Sequence, residues 1–170
     1  VTSQLDGLLS ERTIATGLVC QGAEEAIRAL AALLVAEGCV APAFADDVWA
    51  REQVYPTGLP TEPVRVALPH ADPDHVLRTA IAVAVLAQPV AFGEMGSDGS
   101  STLPVEILFM LAIKEREKQV GMICAVAETI QSPQLLQGLM RAAGPHQVLE
   151  LLVGRAGSDV DDSRPSGSPH

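Results

Sequence analysis

The run from Thr79 to Ala87 limits most strongly what this chain can fold into. It is continuously apolar, rich in Val and Ile, and ends ahead of Pro89. It is too short to cross a bilayer. It is also too uniformly apolar for a strand with one wet face, so it reads as a strand buried on both sides. Val105 to Ile113, apolar apart from Glu106, reads as a second buried strand. Strands buried on both faces need helices above and below them.

Helical signals flank both runs. Between Glu24 and Glu37, Ile27, Leu30, Ala31 and Leu34 recur at helical spacing, acids occupy the first turn, and Gly38 follows as a stop. Pro42 opens a second helix through Ala50 that buries Ala45, Val48 and Trp49. A third covers Glu115 to Glu128, with Val120, Ile123, Cys124 and Ala127 on one face. Ser132 caps a fourth whose first residue is Pro133, with Leu135, Leu136, Leu139 and Met140 as its stripe. Gly144-Pro145 separates it from a last helix through Leu152. Thr13 to Val19 and Val64 to Leu68 read as further strands. Pro89 is expected to end the first buried strand and leave Val90 to Phe92 as a short edge strand. Tyr55 to Pro63 and Gly93 to Thr102 read as loops. The expected fold is α/β: a mixed sheet with helices on both faces, in three layers. Residues 1–153 form one domain in this reading, and the Gly-, Ser-, Asp- and Pro-rich residues 154–170 form a disordered tail.

Composition narrows the function. Aromatics are 3% of the chain and the formal net charge is −10, so no basic stripe invites nucleic acid. The same charge disfavours anionic lipid surfaces. Cys20, Cys39 and Cys124 are far apart and odd in number, which argues against a disulfide framework and for a reducing compartment. With no leader-like or membrane-spanning segment, the expectation is a soluble cytoplasmic protein. The start at Val1 is what a trimmed or excised chain would show.

The chemistry concentrates in Arg51-Glu52, Pro56-Thr57-Gly58-Leu59 and Val66-Ala67-Leu68-Pro69-His70-Ala71. An alternating apolar strand that stops at Pro69 is expected to deliver a fixed, accessible imidazole to a surface. A histidine near neutral pH can act as a nucleophile. Arg51 offers a planar fork of donors, Thr57 a hydroxyl, and Gly58 a backbone that a ligand can approach closely. A more ordinary reading makes Arg51 a surface ion-pair partner of Glu52 or Asp47.

These segments resemble the IIA component of the bacterial sugar phosphotransferase system, fructose–mannitol type. The Pro-Thr-Gly-Leu form is most similar to the galactitol-like branch. The resemblance runs from about Leu5 to Leu152, and the Ala-Leu-Pro-His-Ala segment is its specific signal. It implies the flanked mixed sheet and a phosphoryl carrier in sugar uptake. His70 would accept the group from the carrier protein HPr and pass it to a cysteine of a IIB partner. It also implies that the chain meets a membrane only through the IIC component, and that no cofactor or metal is needed. Arg51 and Thr57 would serve the phosphoryl oxygens. Many members of this family carry a second histidine at the start of the helix after the second buried strand. Here the matching stretch is Gln119-Val120-Gly121-Met122-Ile123, so Gln119 is expected within reach of His70 as a hydrogen-bond donor without charge.

Three alternatives stand beside this reading. A regulatory IIA-like module would use the same histidine to signal by its phosphorylation state. A metal-dependent hydrolase would use His70, Asp72, Asp74 and His75, with His146 as the remaining candidate ligand. A IIB-like protein would carry phosphate on Cys20, although Glu24 and Glu25 in the following helical turn oppose an anion there.

Overall fold

A computed structural model describes residues 5–154 of the chain. Five strands form one mixed sheet in the order β1-β4-β5-β3-β2. They are β1 (Ile14–Leu18), β2 (Gly58–Leu59), β3 (Arg65–Ala67), β4 (Ala80–Gly93) and β5 (Thr102–Ala112). β1 runs parallel to β4, β4 antiparallel to β5, β5 parallel to β3, and β3 antiparallel to β2. The two apolar runs of the sequence are the central pair, β4 and β5, paired in register from Ala80 opposite Ala112 to Val85 opposite Ile107.

Because side chains alternate along these strands, each supplies two cores. Ala82, Ala84, Leu108 and Met110 face α1 (Ala23–Ala36) and α2 (Phe44–Val54). Ile81, Val83, Val85, Ile107, Phe109 and Leu111 face α3 (Gln119–Thr129), α4 (Pro133–Arg141) and α5 (Pro145–Val153). The small residues of β4 lie under α1, whose Ile27, Leu30, Ala31 and Leu34 are all fully buried. The expected α/β fold with helices on both faces is therefore observed. Ser132 caps α4 by accepting the Leu135 amide at 3.2 Å, with Pro133 at the first helical position.

The sequence reading and the structure part company in four places. Pro89 does not end the strand: β4 continues to Gly93, with its pairing to β5 interrupted between Val85 and Val90. β1 pairs with β4 only as far as Leu86, so Pro89 stands where no neighbour requires its missing N–H. α2 starts later and runs further than expected, and carries Arg51 and Glu52 on its last turn. Of its expected buried residues only Val48 is fully covered, while Ala45 and Trp49 are half-buried. α3 is rotated relative to the expected face. Ala125 and Val126 are buried, while Val120 and Cys124 are exposed. Finally, β2 forms inside the expected Tyr55–Pro63 loop.

Residues 155–170, on which the expected disordered tail falls, lie outside the described residues. Among the described residues no helix is long and apolar enough to cross a membrane.

Candidate active site

The sheet brings the separated motifs to one edge. β3 stops at Ala67, but its line continues beside β5. The Leu111 amide donates to the Pro69 carbonyl at 3.1 Å, and His70 bridges Leu111. On the other side β2 pairs Gly58 with Ala67, which draws the Pro56–Leu59 segment against the same strand end. α2 ends just before that segment, so Arg51 and Glu52 arrive there as well. α3 begins at Gln119 soon after β5 ends.

His70 is not the accessible surface histidine expected: it is 7% exposed, because the strand line continues past Pro69 beside β5, and its Nδ1 lies 2.7 Å from the Leu68 carbonyl oxygen. A carbonyl can only accept, so Nδ1 carries the proton and donates. In the neutral ring the lone pair is then on Nε2. Burial pushes the His70 pKa below its ordinary value. The Leu68 bond and Asp72 pull it back in part, while the Arg51 charge lowers it further. The ring is thereby held neutral, in one tautomer, with Nε2 nucleophilic. Nε2 has no partner among the described residues. It is also not among the sealed polar atoms without partners, which are Arg51 Nε and Arg65 Nε. It therefore keeps contact with solvent.

Arg51 makes no ion pair with Glu52 or Asp47, contrary to the more ordinary reading. Asp47 pairs instead with His75 Nδ1, and Glu52 turns inward. The Arg51 guanidinium lies over the Tyr55 ring, 5.3 Å from its centroid. Its Nε is buried and without a hydrogen-bond partner. Its terminal nitrogens are not among the sealed atoms, so the planar fork is open to a hydrogen-bond acceptor.

Thr57 reaches the site, but its hydroxyl is engaged. It donates to Glu52, 2.9 Å from Oε2 and 3.1 Å from Oε1, and accepts the Leu68 amide at 3.2 Å. Gly58 is needed for a reason other than ligand approach. A Cβ there would sit 2.6 Å from the Gly93 carbonyl oxygen, and a Cβ on Gly93 would meet the Pro56 ring at 2.7 Å. The two glycines let the loop after β4 close against the Pro56–Gly58 segment, where the Met95 amide donates to the Gly58 carbonyl at 2.8 Å. Gly58→Ala should destabilise the fold by about 1–3 kcal/mol, as overpacking against backbone does. Denaturant unfolding of the variant checks this.

Gln119 is where the sequence placed it, at the His70 end of the sheet. Its Nε2 donates to the Ala71 carbonyl at 2.8 Å, one peptide beyond the histidine. Sequence reasoning missed Glu52 as a site component. It is 6% exposed and takes both the amide and the hydroxyl of Thr57. Its only sequence signal was a carboxylate five residues before a Thr-Gly turn.

The metal-site constellation does not assemble. His75 is turned to Asp47, His70 to Leu68, and His146 to Glu11 and Glu150 at 2.5 and 3.0 Å. Among the described residues no group of three or more His, Cys, Asp or Glu side chains is placed to hold a metal ion. The Cys20 thiol is pushed up by burial and by Glu25, which opposes the thiolate a phosphocysteine site requires.

Comparison with known proteins identifies the family and supports the fold. The family model described as phosphoenolpyruvate-dependent sugar phosphotransferase system, EIIA 2, matches residues 7–154. The mannitol-specific EIICBA component of Pasteurella multocida is 28% identical over 148 residues, which is 85% of this chain and 22% of that protein. The chain thus spans about a fifth of the length of that relative. The galactitol-specific EIIA component of Escherichia coli is 23% identical over 107 residues, covering 63% of this chain and 70% of that protein. Among solved structures, the complex of enzyme IIA and phosphorylated enzyme IIB for mannitol from Escherichia coli superposes with a TM-score of 0.72. Its match is 25% identical and covers 86% of this chain and 98% of the solved one.

Proposed function

This chain belongs to the EIIA 2 family of the phosphoenolpyruvate-dependent sugar phosphotransferase system, and we propose that it carries the phosphoryl group on Nε2 of His70. The observation that supports this most is the Nδ1–H bond to Leu68, which leaves Nε2 as the lone-pair nitrogen in contact with solvent. The Nε2 lone pair attacks phosphorus as the bond from phosphorus to the donor breaks. Nε2 carries no proton to begin with, so none has to be removed. The proton stays on Nδ1, donated to the Leu68 carbonyl, throughout. Arg51 meets the equatorial oxygens with its terminal guanidinium N–H groups, which make no hydrogen bond among the described residues.

The donor is HPr and the acceptor a cysteine of a IIB component; the solved complex of enzyme IIA with phosphorylated enzyme IIB for mannitol supports the IIB step. The reaction belongs to the cytoplasm, and membrane contact comes only through IIC. Residues 1–153 are the unit that performs it. Protein partners need a surface to press on. Val54, Tyr55 and Met95 are exposed around the pocket beside Arg51 and supply one.

Gln119 holds the Ala71 carbonyl and so steadies the residue after the acceptor. Gln119→Leu should slow transfer about threefold to tenfold, the worth of one net hydrogen bond. Gln119→His should be tolerated and should make transfer more sensitive to pH near neutrality. Rapid-quench measurements of phosphate uptake would check both.

The test of the overall function is direct. Incubation with phosphoenolpyruvate, the upstream kinase and HPr should place one acid-labile, alkali-stable phosphate on each chain. Omission of HPr should abolish it. A chain that stays unlabelled with the complete system is not a carrier of this kind.

A further inference from the structure

We propose that Glu52 is a positioning residue for His70, acting through Thr57 and Leu68; the inference rests on His70 being the phosphoryl acceptor. The path consists of hydrogen bonds only. The Glu52 carboxylate accepts the Thr57 amide at 2.9 Å and the Thr57 hydroxyl at 2.9 Å. The hydroxyl oxygen in turn accepts the Leu68 amide at 3.2 Å, and the Thr57 carbonyl shares that amide at 3.4 Å. The Leu68 carbonyl accepts His70 Nδ1–H at 2.7 Å.

Each link constrains the next. Burial pushes the Glu52 carboxyl above its ordinary range, and the Thr57 amide, the Thr57 hydroxyl and the Arg51 charge pull it back. In its ionised form it can only accept, so the Thr57 hydroxyl aims its proton at Glu52. Its lone pairs are then left to the Leu68 amide. Pro69 keeps Leu68 extended from the other side. Leu68 is therefore held at both ends, and its carbonyl selects the tautomer of the histidine. Burying a carboxylate at 6% exposure is costly unless it is well bonded. Both of its donors come from Thr57, so Glu52 organises this segment and no other. Neither Glu52 nor the Thr57 hydroxyl needs to touch phosphate in this arrangement.

Glu52→Gln keeps the shape but adds donors where only acceptors stood. Its amide competes for the Thr57 oxygen and frees the hydroxyl to rotate. The His70 ring should then populate both neutral tautomers, visible in nitrogen-15 NMR of the imidazole. At saturating phosphorylated HPr the transfer rate should fall about tenfold, with the half-saturating concentration of HPr unchanged. Thr57→Val should act in the same direction, and Thr57→Ser, which retains the hydroxyl, should recover most of the loss. A merely structural role would lower the melting temperature without moving the tautomer balance. A folded Glu52→Gln protein with a wild-type imidazole spectrum overturns the proposal, whatever its rate. If Glu52→Gln does not fold, Thr57→Val decides by the same two readouts. Failure of the wild-type chain to take phosphate would reject the acceptor assignment instead, and the imidazole spectra would still report on the network.

Discussion

His70→Ala should take up no phosphate from phosphorylated HPr, and should still fold, with a lowered melting temperature because a buried ring is lost and the Leu68 carbonyl loses its donor. The loss is expected to be complete because neither of the other two histidines among the described residues is placed to substitute. His75 is paired with Asp47 and His146 with Glu11 and Glu150, and both are raised in pKa by those carboxylates, so the protonated form is favoured. A protonated imidazole has no lone pair to offer. His70 is the opposite case, with its pKa lowered chiefly by burial. Its rate of phosphate uptake should therefore stay level as pH falls to its ordinary value of 6.5, and decline only below it. An exposed histidine would already be half-protonated there. The same shift carries a sign for stability. The folded ring binds protons less readily than the unfolded one, so its contribution is present above pH 6.5 and lost as pH falls through the lowered folded value. Residual labelling of His70→Ala on His75 or Cys20 would overturn the assignment.

Arg51→Ala should slow phosphoryl transfer by roughly tenfold to a hundredfold. The estimate comes from losing one charge-assisted hydrogen bond to a phosphoryl oxygen, about 1.5–3 kcal/mol. Arg51→Lys should recover only part of the rate, because a point charge replaces a planar fork. The fold should tolerate both changes, since Arg51 makes no hydrogen bond whose loss would strand a partner. Its contact with Tyr55 is the main interaction given up. Circular dichroism and rapid-quench kinetics on the same preparations separate folding from transfer. A folded Arg51→Ala protein with wild-type kinetics would remove Arg51 from the mechanism.

The sequence disclosed the sheet because its central strands have a local cause. Largely apolar runs have no stable place except between layers, and β4 and β5 contain those runs. Pro69 followed by His70 could be read as a strand end, and β3 stops two residues before Pro69, at Ala67. Pro89 misled, because its cost depends on whether a neighbouring strand needs the missing N–H. That is a fact of sheet order and not of local sequence. The face of α3 misled for a similar reason: its residues are apolar nearly all round, so periodicity alone cannot choose between Val120 and Val126. Glu52 was invisible as a site component. An acid next to an arginine looks like a surface ion pair, and only the tertiary fold shows it turned away from Arg51 toward Thr57. The Thr57 hydroxyl was legible as a hydrogen-bonding group, but not the partner it would choose.

The central claim is that Nε2 of His70 is the nitrogen that bears the phosphoryl group, because Nδ1 is held by Leu68. Phosphorus-31 and nitrogen-15 NMR of the phosphorylated, isotope-labelled protein addresses it directly. The account predicts one phosphohistidine, with the phosphorus-coupled nitrogen being Nε2 of His70 and Nδ1 still protonated. Phosphate on Nδ1, or on any residue other than His70, would contradict it.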